Sequence, residues 1–380
     1  MKTPIGRTLG QLTVVAAALA ALSASAQIKI AQVVELSGGG TAAGSQYRNG
    51  AKLAINEINA AGGIMGKKIE SMEMDTQSQP AIAKAMTVKA IDEKVTAIFG
   101  PVFSSSILVS QTESQKAAIP NFTGGEASNV TAQGNPYIFR SSLNQSMAIP
   151  KVVSYIANDL KAKSVAVVFV NNDFGKGGRD SVIKELQARN VKVAADISTD
   201  PGQIDMSSAV LRIKQANADA LFAYLNEEES ARLLKELRKQ GYDKPLVGET
   251  TLMGAKVIEL AGSAANGVRG HVGLTADAPA FKEFAAKYEK EFKAKSDHNG
   301  IKGYFSAYML KAAIEKAKSI EGPAIAAAMK NTCFKAKDHP GILLDVCFDD
   351  KGDIDRETFM VEVREGRQVV TQSLPMLNRR

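Results

Sequence analysis

Short apolar runs alternate with longer amphipathic stretches along most of the chain. "IKIAQVVEL" (28–36) is almost continuously apolar, which is typical of a buried strand. "SQYRNGAKLAINEINAAGG" (45–63) has the 3.6-residue spacing of a helix and ends on two glycines. Strands that alternate with helices of this length predict parallel sheets covered by helices on both faces.

The alternation runs through two successive series, which predicts two lobes with one core each. The first series continues to "IPNFT" (119–123), and the second starts after "YIFRSSLNQS" (137–146). From Ala278 the pattern is helical again, with a helix expected at "YFSAYMLKAAIEKAKS" (304–319). The chain then ends in a β-rich tail whose turns are predicted at "DDKGDID" (349–355) and "REGRQ" (364–368).

Residues 1–26 have the three-part layout of a secretory signal peptide. A basic start is followed by the apolar run Leu12–Leu22 and the small residues "ASA" before Gln27. We therefore expect cleavage after Ala26, export to the periplasm and no lipid anchor, because the next residue is not cysteine. No later segment is long and apolar enough to predict membrane insertion.

Composition narrows the class of function. The 380 residues carry a net charge of +7, but the lysines are mixed with glutamates in helix-like stretches, which indicates solvated faces. Neither a nucleic-acid partner nor a metal site is expected, and no cofactor is predicted. The two cysteines, Cys333 and Cys347, predict a structural disulfide in an oxidising compartment. The three histidines are scattered and are expected at the surface.

Glycine- and serine-rich junctions follow several predicted strands, where ligands bind in open α/β sheets. In "GPVFSSS" (100–106), Ser104 to Ser106 are expected to form the N-cap and first turn of the next helix. That arrangement is either an ordinary serine cap or a pocket for a carboxylate, which the free N–H groups of a helix N-terminus favour. A catalytic serine is disfavoured because the GxSxG pattern is missing, and the P-loop pattern is missing too.

Two other junctions carry acidic residues. In "FTGGEAS" (122–128), Glu126 is either a helix N-terminal acid or a ligand residue that accepts hydrogen bonds. A carboxylate ligand beside it requires an intervening cation, such as a ligand ammonium or Arg48. In "NEEES" (226–230), Asn226 is expected to face inward and most of the glutamates to face solvent.

The order and spacing of these stretches resemble the periplasmic binding proteins for branched-chain amino acids, the leucine/isoleucine/valine-binding type that serves ABC importers. The resemblance covers essentially the whole mature chain. Its main matching stretches are 36–70, "IFGPVFSSS" (98–106), "FTGGEASNVTAQGNPYIFRSS" (122–142), "VVFVNNDFGKGG" (167–178), "LVGETTL" (246–252) and "FDDKGDI" (348–354).

The resemblance implies a two-lobed type I periplasmic binding fold in the α/β class. Each lobe is a mostly parallel sheet flanked by helices, and three hinge crossovers join the lobes, near 141–144, 273–276 and 348–353. The expected N-terminal lobe is 27–142 plus 276–350. The expected C-terminal lobe is 143–275 plus 351–380.

The resemblance also implies a ligand clamp, in which Ser104 binds a carboxylate and Gly124 adds a backbone contact. Glu126 stands where the family has a threonine, Asn226 where it has a tyrosine, and Ala43 where it has an aromatic residue. Phe103 and Phe174 either stack on a ligand ring or pack as apolar residues. The expected ligand-binding residues are Phe103, Ser104, Ser105, Gly124, Gly125, Glu126, Phe174, Asn226, Glu249 and Thr250.

These observations predict an exported, non-enzymatic solute-binding protein of an ABC importer. It would capture a small polar organic ligand, either an amino acid or an aromatic acid, keto acid or amide. It would act as a monomer and deliver the ligand to a membrane permease. The alternative is a ligand sensor that docks to a membrane signalling receptor.

Overall fold

A computed structural model describes residues 27–275 and 278–376 of the 380-residue chain. The predicted signal peptide lies outside the described residues. No helix within those two ranges is long and apolar enough to cross a membrane.

The first sheet has five parallel strands in the order β2-β1-β3-β4-β5. Alternate residues of β1 pack on helices on opposite faces of the sheet, Ile30 with one helix layer and Val33 with the other. This two-sided burial explains why β1 is almost continuously apolar. The strands are β1 Ile28–Val34, β2 Ile69–Asp75, β3 Ala97–Phe99, β4 Asn121–Thr123 and β5 Ile138–Arg140, and the helices between them are α1 Thr41–Ala60, α2 Pro80–Asp92 and α3 Ser104–Lys116.

The second sheet has seven strands in the order β15-β14-β10-β9-β8-β6-β7. Its first five strands along the chain are parallel, and the last two are antiparallel additions at one edge. The strands are β6 Ser164–Val170, β7 Lys192–Thr199, β8 Ala220–Tyr224, β9 Leu246–Gly248, β10 Arg269–Val272, β14 Thr358–Arg364 and β15 Arg367–Leu374. The helices are α4 Gln145–Ser154, α5 Asp173–Ala188, α6 Ser207–Gln215, α7 Glu227–Lys239 and α8 Ala255–Ala261. The two predicted α/β series are thus confirmed, although β5, β10 and α8 were not predicted.

Three further helices follow, α9 Lys282–Phe292, α10 His298–Ala317 and α11 Gly322–Met329. α10 packs closely along α1, and glycines make the approach possible. A Cβ on Gly303 would lie 1.9 Å from the carbonyl oxygen of Tyr47, and a Cβ on Gly50 would lie 1.8 Å from that of Gly300. The Tyr47 hydroxyl also donates to the Phe122 carbonyl at 2.9 Å, which ties α1 to the end of β4.

The predicted start of α10 at Tyr304 was wrong by six residues. The side chain of Asp297 caps the helix, because its Oδ1 accepts hydrogen bonds from the backbone N–H of Asn299 at 2.8 Å and of Gly300 at 3.3 Å. The early start adds two turns whose polar residues reach the site described below.

The first part of the β-rich tail joins a small antiparallel sheet of β11 Cys333–Phe334, β12 Val346–Phe348 and β13 Ile354–Asp355, and the last part forms β14 and β15 of the second sheet. Cys333 lies directly opposite Cys347 in the register, and the predicted disulfide between them is present. The predicted turns are confirmed between β12 and β13 and between β14 and β15.

Over the residues that the structure describes, the chain passes between the two large sheets three times. The first passage follows β5, the second follows β10, and the third lies between β13 and β14. The third passage is at Arg356 and Glu357, a few residues after the predicted position, because β13 still pairs with β12 in the small sheet. The predicted lobe boundaries stay a prediction.

Replacing Gly303 by alanine is expected to destabilise the fold by about 3 kcal/mol, because the added methyl group collides with the backbone of α1. Gly39→Ala is the matched control, since no atom lies within 4 Å of its added Cβ, and it should change stability by less than about 0.5 kcal/mol. Urea unfolding measures both. Equal stability of the two variants would contradict the close helix packing.

Candidate ligand-binding site

A cavity lies between the carboxyl ends of the two large sheets and encloses about 450 Å³, including space open to solvent. Both sheets contribute loops and helix starts to its wall. The wall consists of Ala43, Val102, Phe103, Ser104, Ser105, Gly124, Glu126, Asn172, Phe174, Asn226, Glu227, Thr251, His298, Asn299 and Lys302.

The start of α3 forms one end of the cavity. Phe103 occupies the N-cap position without a side-chain cap, so the expected serine N-cap was wrong and the three serines form only the first turn. Phe103 takes this place because its extended backbone ends the loop and its carbonyl accepts from Ile107 N–H at 3.1 Å. Ser104 and Ser105 therefore line the cavity at the first two positions of the helix, where backbone N–H groups have no partner within the helix.

A buried carboxylate holds the loop before α3 in place. Glu35, directly after β1, is fully buried, and its two oxygens accept from the backbone N–H of Val102 at 3.0 Å and of Phe103 at 3.1 Å. Burial raises the pKa of Glu35, while these N–H donors oppose the shift. Glu35 was not among the predicted site residues.

The loop after β4 brings a second carboxylate to the cavity. Glu126 is 7% exposed, and its Oε1 accepts from Lys302 Nζ at 2.8 Å, while Lys302 Nζ also donates to the Gly124 carbonyl at 3.2 Å. Burial raises the pKa of Glu126, and the neighbouring Lys302 ammonium opposes the shift. The cation expected beside Glu126 is thus Lys302, since Arg48 pairs with Glu73 instead.

Gly125 does not line the cavity. Its carbonyl accepts from Arg140 Nη1 and from the Ser142 hydroxyl, each at 2.6 Å, and these bonds anchor the loop from behind. Ser104 Oγ accepts from the Ala127 N–H at 3.2 Å, which ties the same loop to α3.

The second sheet supplies the opposite wall through the start of α7. Asn226 lines the cavity as expected, but the expectation that most of the glutamates face solvent was wrong. Glu227 and Glu229 are each 4% exposed, and only Glu228 is exposed, paired with Arg232. Glu227 lines the cavity, whereas Glu229 is buried against the loop after β7, where its Oε1 accepts from the Gly202 N–H at 2.6 Å.

On this wall, Glu227 is the acidic group with the weakest hydrogen bonding. Its Oε1 accepts from Asn299 Nδ2 at a long 3.4 Å, and this contact joins α7 to α10 across the cavity. Burial raises the pKa of Glu227 to about 7.

The two predicted aromatic residues both line the cavity. Phe174 stacks on Tyr224 with ring centroids 4.4 Å apart, so its ring is braced from the side of the second sheet. Phe103 is half-buried and packs on the main core. Together with Ala43 and Val102 they provide an apolar surface beside the polar groups.

Glu249 and Thr250 lie in a smaller neighbouring cavity. Glu249 pairs with His271 Nδ1, and its other oxygen accepts from the N–H of Thr250 at 2.9 Å and from its hydroxyl at 3.0 Å. His271 is fully buried and His298 is 4% exposed, so the surface placement expected for them was wrong. Burial lowers the pKa of His298 well below its ordinary value, which keeps its ring neutral.

The polar residues that sequence reasoning missed in the main cavity are Asn172, Glu227, Thr251, His298, Asn299 and Lys302. Three of them belong to the two added turns of α10. A usable signal was present in "DHNGIKGY" (297–304), where an aspartate N-cap opens a helix and a lone lysine stands between two glycines that permit close packing.

A family model for periplasmic binding proteins matches residues 27–368. The chain belongs to the periplasmic binding protein family. A curated relative is the Leu/Ile/Val-binding protein BraC3 of Rhizobium johnstonii, 26% identical over 94% of this chain and 97% of the relative. Members of the periplasmic binding protein family are solute-binding proteins, and membership implies a periplasmic location.

Solved structures share the fold. The leucine-binding protein LivK of Thermotoga maritima has a TM-score of 0.83 at 23% identity, covering 92% of this chain and 99% of that one. A solute-binding protein of an ABC transporter from Rhodopseudomonas palustris, in complex with 3,4-dihydroxybenzoic acid, has a TM-score of 0.84 at 23% identity, covering 92% and 97%. The two-lobed type I periplasmic binding fold is thereby confirmed.

Removing the amine from the buried ion pair of this binding protein should be costly. Lys302→Met leaves the Glu126 carboxylate buried without its cation and is expected to cost about 3–5 kcal/mol of unfolding free energy at neutral pH. The matched control is Lys239→Met, which removes an exposed partner of Glu236 and should cost less than about 1 kcal/mol. Denaturant unfolding that gives equal losses would contradict a dry, buried pair.

The Glu227 carboxyl is expected to make stability depend on pH. Its pKa is 4.5 as an ordinary group and about 7 when folded, so the folded state holds more protons between these values and stability falls as pH rises. Glu227→Gln should match the native protein near about pH 4 and exceed its stability by on the order of 3 kcal/mol above about pH 8. Unfolding at a series of pH values measures the difference.

Glu228→Gln serves as the control for this titration, because Glu228 is its exposed neighbour on the same turn. The difference between that variant and the native protein should stay below about 1 kcal/mol, because the ion pair that it removes is exposed. A flat profile for Glu227→Gln as well would show that Glu227 is solvated.

Proposed function

We propose that this chain is the solute receptor of an ABC importer, which captures a small organic carboxylate between two lobes and delivers it to a membrane permease. The observation that carries the proposal is the cavity between the carboxyl ends of the two parallel sheets, lined from both. Ligands bind at this edge in open α/β sheets. Mature residues 27–142 plus 276–350 would form one lobe and 143–275 plus 351–380 the other.

The carboxylate would bind at the start of α3. The free N–H groups of Ser104 and Ser105, the serine hydroxyls and the positive end of the helix dipole all favour an anion there. Lys302 adds a buried ammonium on the same side of the cavity. Ser104, Ser105 and Lys302 are the residues proposed to contact the acid group. Gly124 lines the cavity beside them, but its N–H already donates to the Pro101 carbonyl at 3.2 Å.

The charges of the site favour an acid without an ammonium group. A ligand ammonium needs a free carboxylate, but Glu126 is already paired with Lys302 and Glu249 with His271. That leaves Glu227 on the cavity wall, where burial disfavours the charged form of its carboxyl. Glu227, with a pKa of about 7, is half protonated near neutral pH and suits a hydroxyl or carbonyl group that can donate or accept.

The relatives indicate two classes of ligand, branched-chain amino acids and aromatic acids, and the site favours the second. BraC3 is named a Leu/Ile/Val-binding protein, whereas the Rhodopseudomonas protein holds 3,4-dihydroxybenzoic acid. Phe103 and Phe174 offer apolar surface to a flat ring, and Asn226, Asn299 and Glu227 offer hydrogen bonds to its substituents. We therefore propose an aromatic or keto acid.

Capture would work by a shift in the population of open and closed lobes. The ligand contacts both walls, so it stabilises the closed state relative to the open one, and the permease would recognise the closed form. The Asn299–Glu227 contact would be one of the bonds made on closing. The alternative role as a signalling sensor is not favoured by the comparisons.

The remaining expectations belong to the same proposal. The protein would be exported with cleavage after Ala26 and would act as a monomer without cofactor. It would not be an enzyme. Turnover of a bound acid that is lost in Ser104→Ala would overturn this part.

The test is a thermal-shift screen of mature residues 27–380 against aromatic acids, keto acids, aliphatic amino acids and amides. A ligand at 100 times its dissociation constant should add about 2.7 kcal/mol of stability. Ser104→Ala should weaken binding of the best acid by about tenfold or more. Ser208→Ala, an exposed serine in α6, should leave binding unchanged.

Two results would contradict the proposed ligand class. The first is stabilisation by leucine, isoleucine or valine but by no acid that lacks an ammonium group. The second is equal binding by Ser104→Ala and Ser208→Ala, which would remove the carboxylate from the start of α3.

A further inference from the structure

A second, smaller cavity lies where the chain passes between the two sheets. Residues from all three passages line it: Ser142 and Leu143 from the first, Gly273 and Leu274 from the second, and Arg356 from the third. We call it the hinge cavity. It shares Glu126, His298 and Lys302 with the main cavity, so the two are neighbours with a common wall.

Arg356 is the unusual group of the hinge cavity. Its side chain is 1% exposed, and its Nη2 donates to the Ser141 carbonyl at 3.0 Å. Within the part of the chain that the structure describes, its Nε and Nη1 are buried without a hydrogen-bond partner. The guanidinium carbon also lies 5.1 Å from the centroid of the Phe305 ring, a contact that supports the cation only in part.

The other charged groups around the hinge cavity are already satisfied. Glu126 is paired with Lys302, and Glu249 is paired with His271 and accepts two bonds from Thr250. Burial lowers the pKa of Arg356 to about 9. Arg356 is therefore the charged group of the hinge cavity whose own hydrogen bonds are incomplete.

A buried guanidinium with free donors costs several kcal/mol unless an anion or acceptor meets it. Arginine offers parallel N–H groups that match a carboxylate in two hydrogen bonds. Arg356 lines the hinge cavity, which lies beside the main cavity and between the three connecting segments.

We propose that the hinge cavity is an anion subsite in which Arg356 binds a carboxylate-sized anion. The anion is either a second carboxylate of the organic ligand or a small free anion. In both cases it bridges segments that move when the lobes open, so it favours the closed state. The first case rests on the proposed function, whereas the second does not.

The first experiment titrates sodium formate into mature residues 27–380, in a buffer whose other anions are bulky, and follows the unfolding midpoint. A free-anion subsite predicts a saturable rise in the native protein. Arg356→Met should lose this rise, and Arg356→Lys should keep it with a midpoint at least about tenfold higher, because the charge remains but the fork is lost. Arg364→Met, at an exposed position, reports the general effect of salt.

The second experiment compares binding of dicarboxylic acids of increasing length with the matching monocarboxylic acids. A ligand-borne anion predicts that one dicarboxylate binds at least about tenfold more tightly than its monocarboxylate partner. Arg356→Met should abolish that preference, while Arg364→Met keeps it. Binding of monocarboxylates to Arg356→Met should persist, which separates this subsite from the acid site at α3.

The anion subsite can be tested even where a variant folds poorly, because the native protein alone gives a decisive result. Native protein that shows neither a saturable response to formate nor a dicarboxylate preference overturns the anion subsite. A response that Arg356→Met retains in full overturns the role of Arg356. Failure of every acid to bind, with a saturable formate response intact, overturns the proposed function but not the subsite.

Discussion

The buried ion pair between Lys302 and Glu126 is the interaction on which the site depends. It joins the first turns of α10 to the loop after β4, and Lys302 also holds the Gly124 carbonyl. Because both charges are removed from water, neither is tolerated without the other. The pair fixes the position of α10, whose close contact with α1 through Gly303 then presents His298 and Asn299 to the cavity.

The chain concentrates buried charge at the edge where the two sheets meet. Glu35 is satisfied by the backbone of the loop before α3, Glu126 by Lys302, and Glu249 by His271. Such satisfied groups hold loops rigidly and leave few charges free to meet a ligand. Glu227 and Arg356 are the exceptions, one on the wall of the main cavity and one in the hinge cavity. A site arranged in this way selects a ligand by the few groups that remain incompletely bonded.

Much of the fold was predictable because its signals are local. Continuous apolar runs predicted the parallel strands, helical spacing predicted the helices between them, and the cysteine pair predicted the disulfide. A predicted helix boundary was wrong where a side chain determines it. The Asp297 cap starts α10 six residues before the apolar spacing becomes clear. Strand-end loops also indicated much of one wall of the site, since carboxyl ends of parallel strands meet at one edge.

The sequence by itself determined the two α/β layers and the loops that border the cavity, because burial and backbone preference act over short distances along the chain. Only the tertiary structure decided the electrostatics of the site. Lys302 lies 176 residues from Glu126, and His271 lies 22 residues from Glu249, so no local pattern reveals either pairing. The same holds for Arg356, whose burial follows from the convergence of three separate passages of the chain.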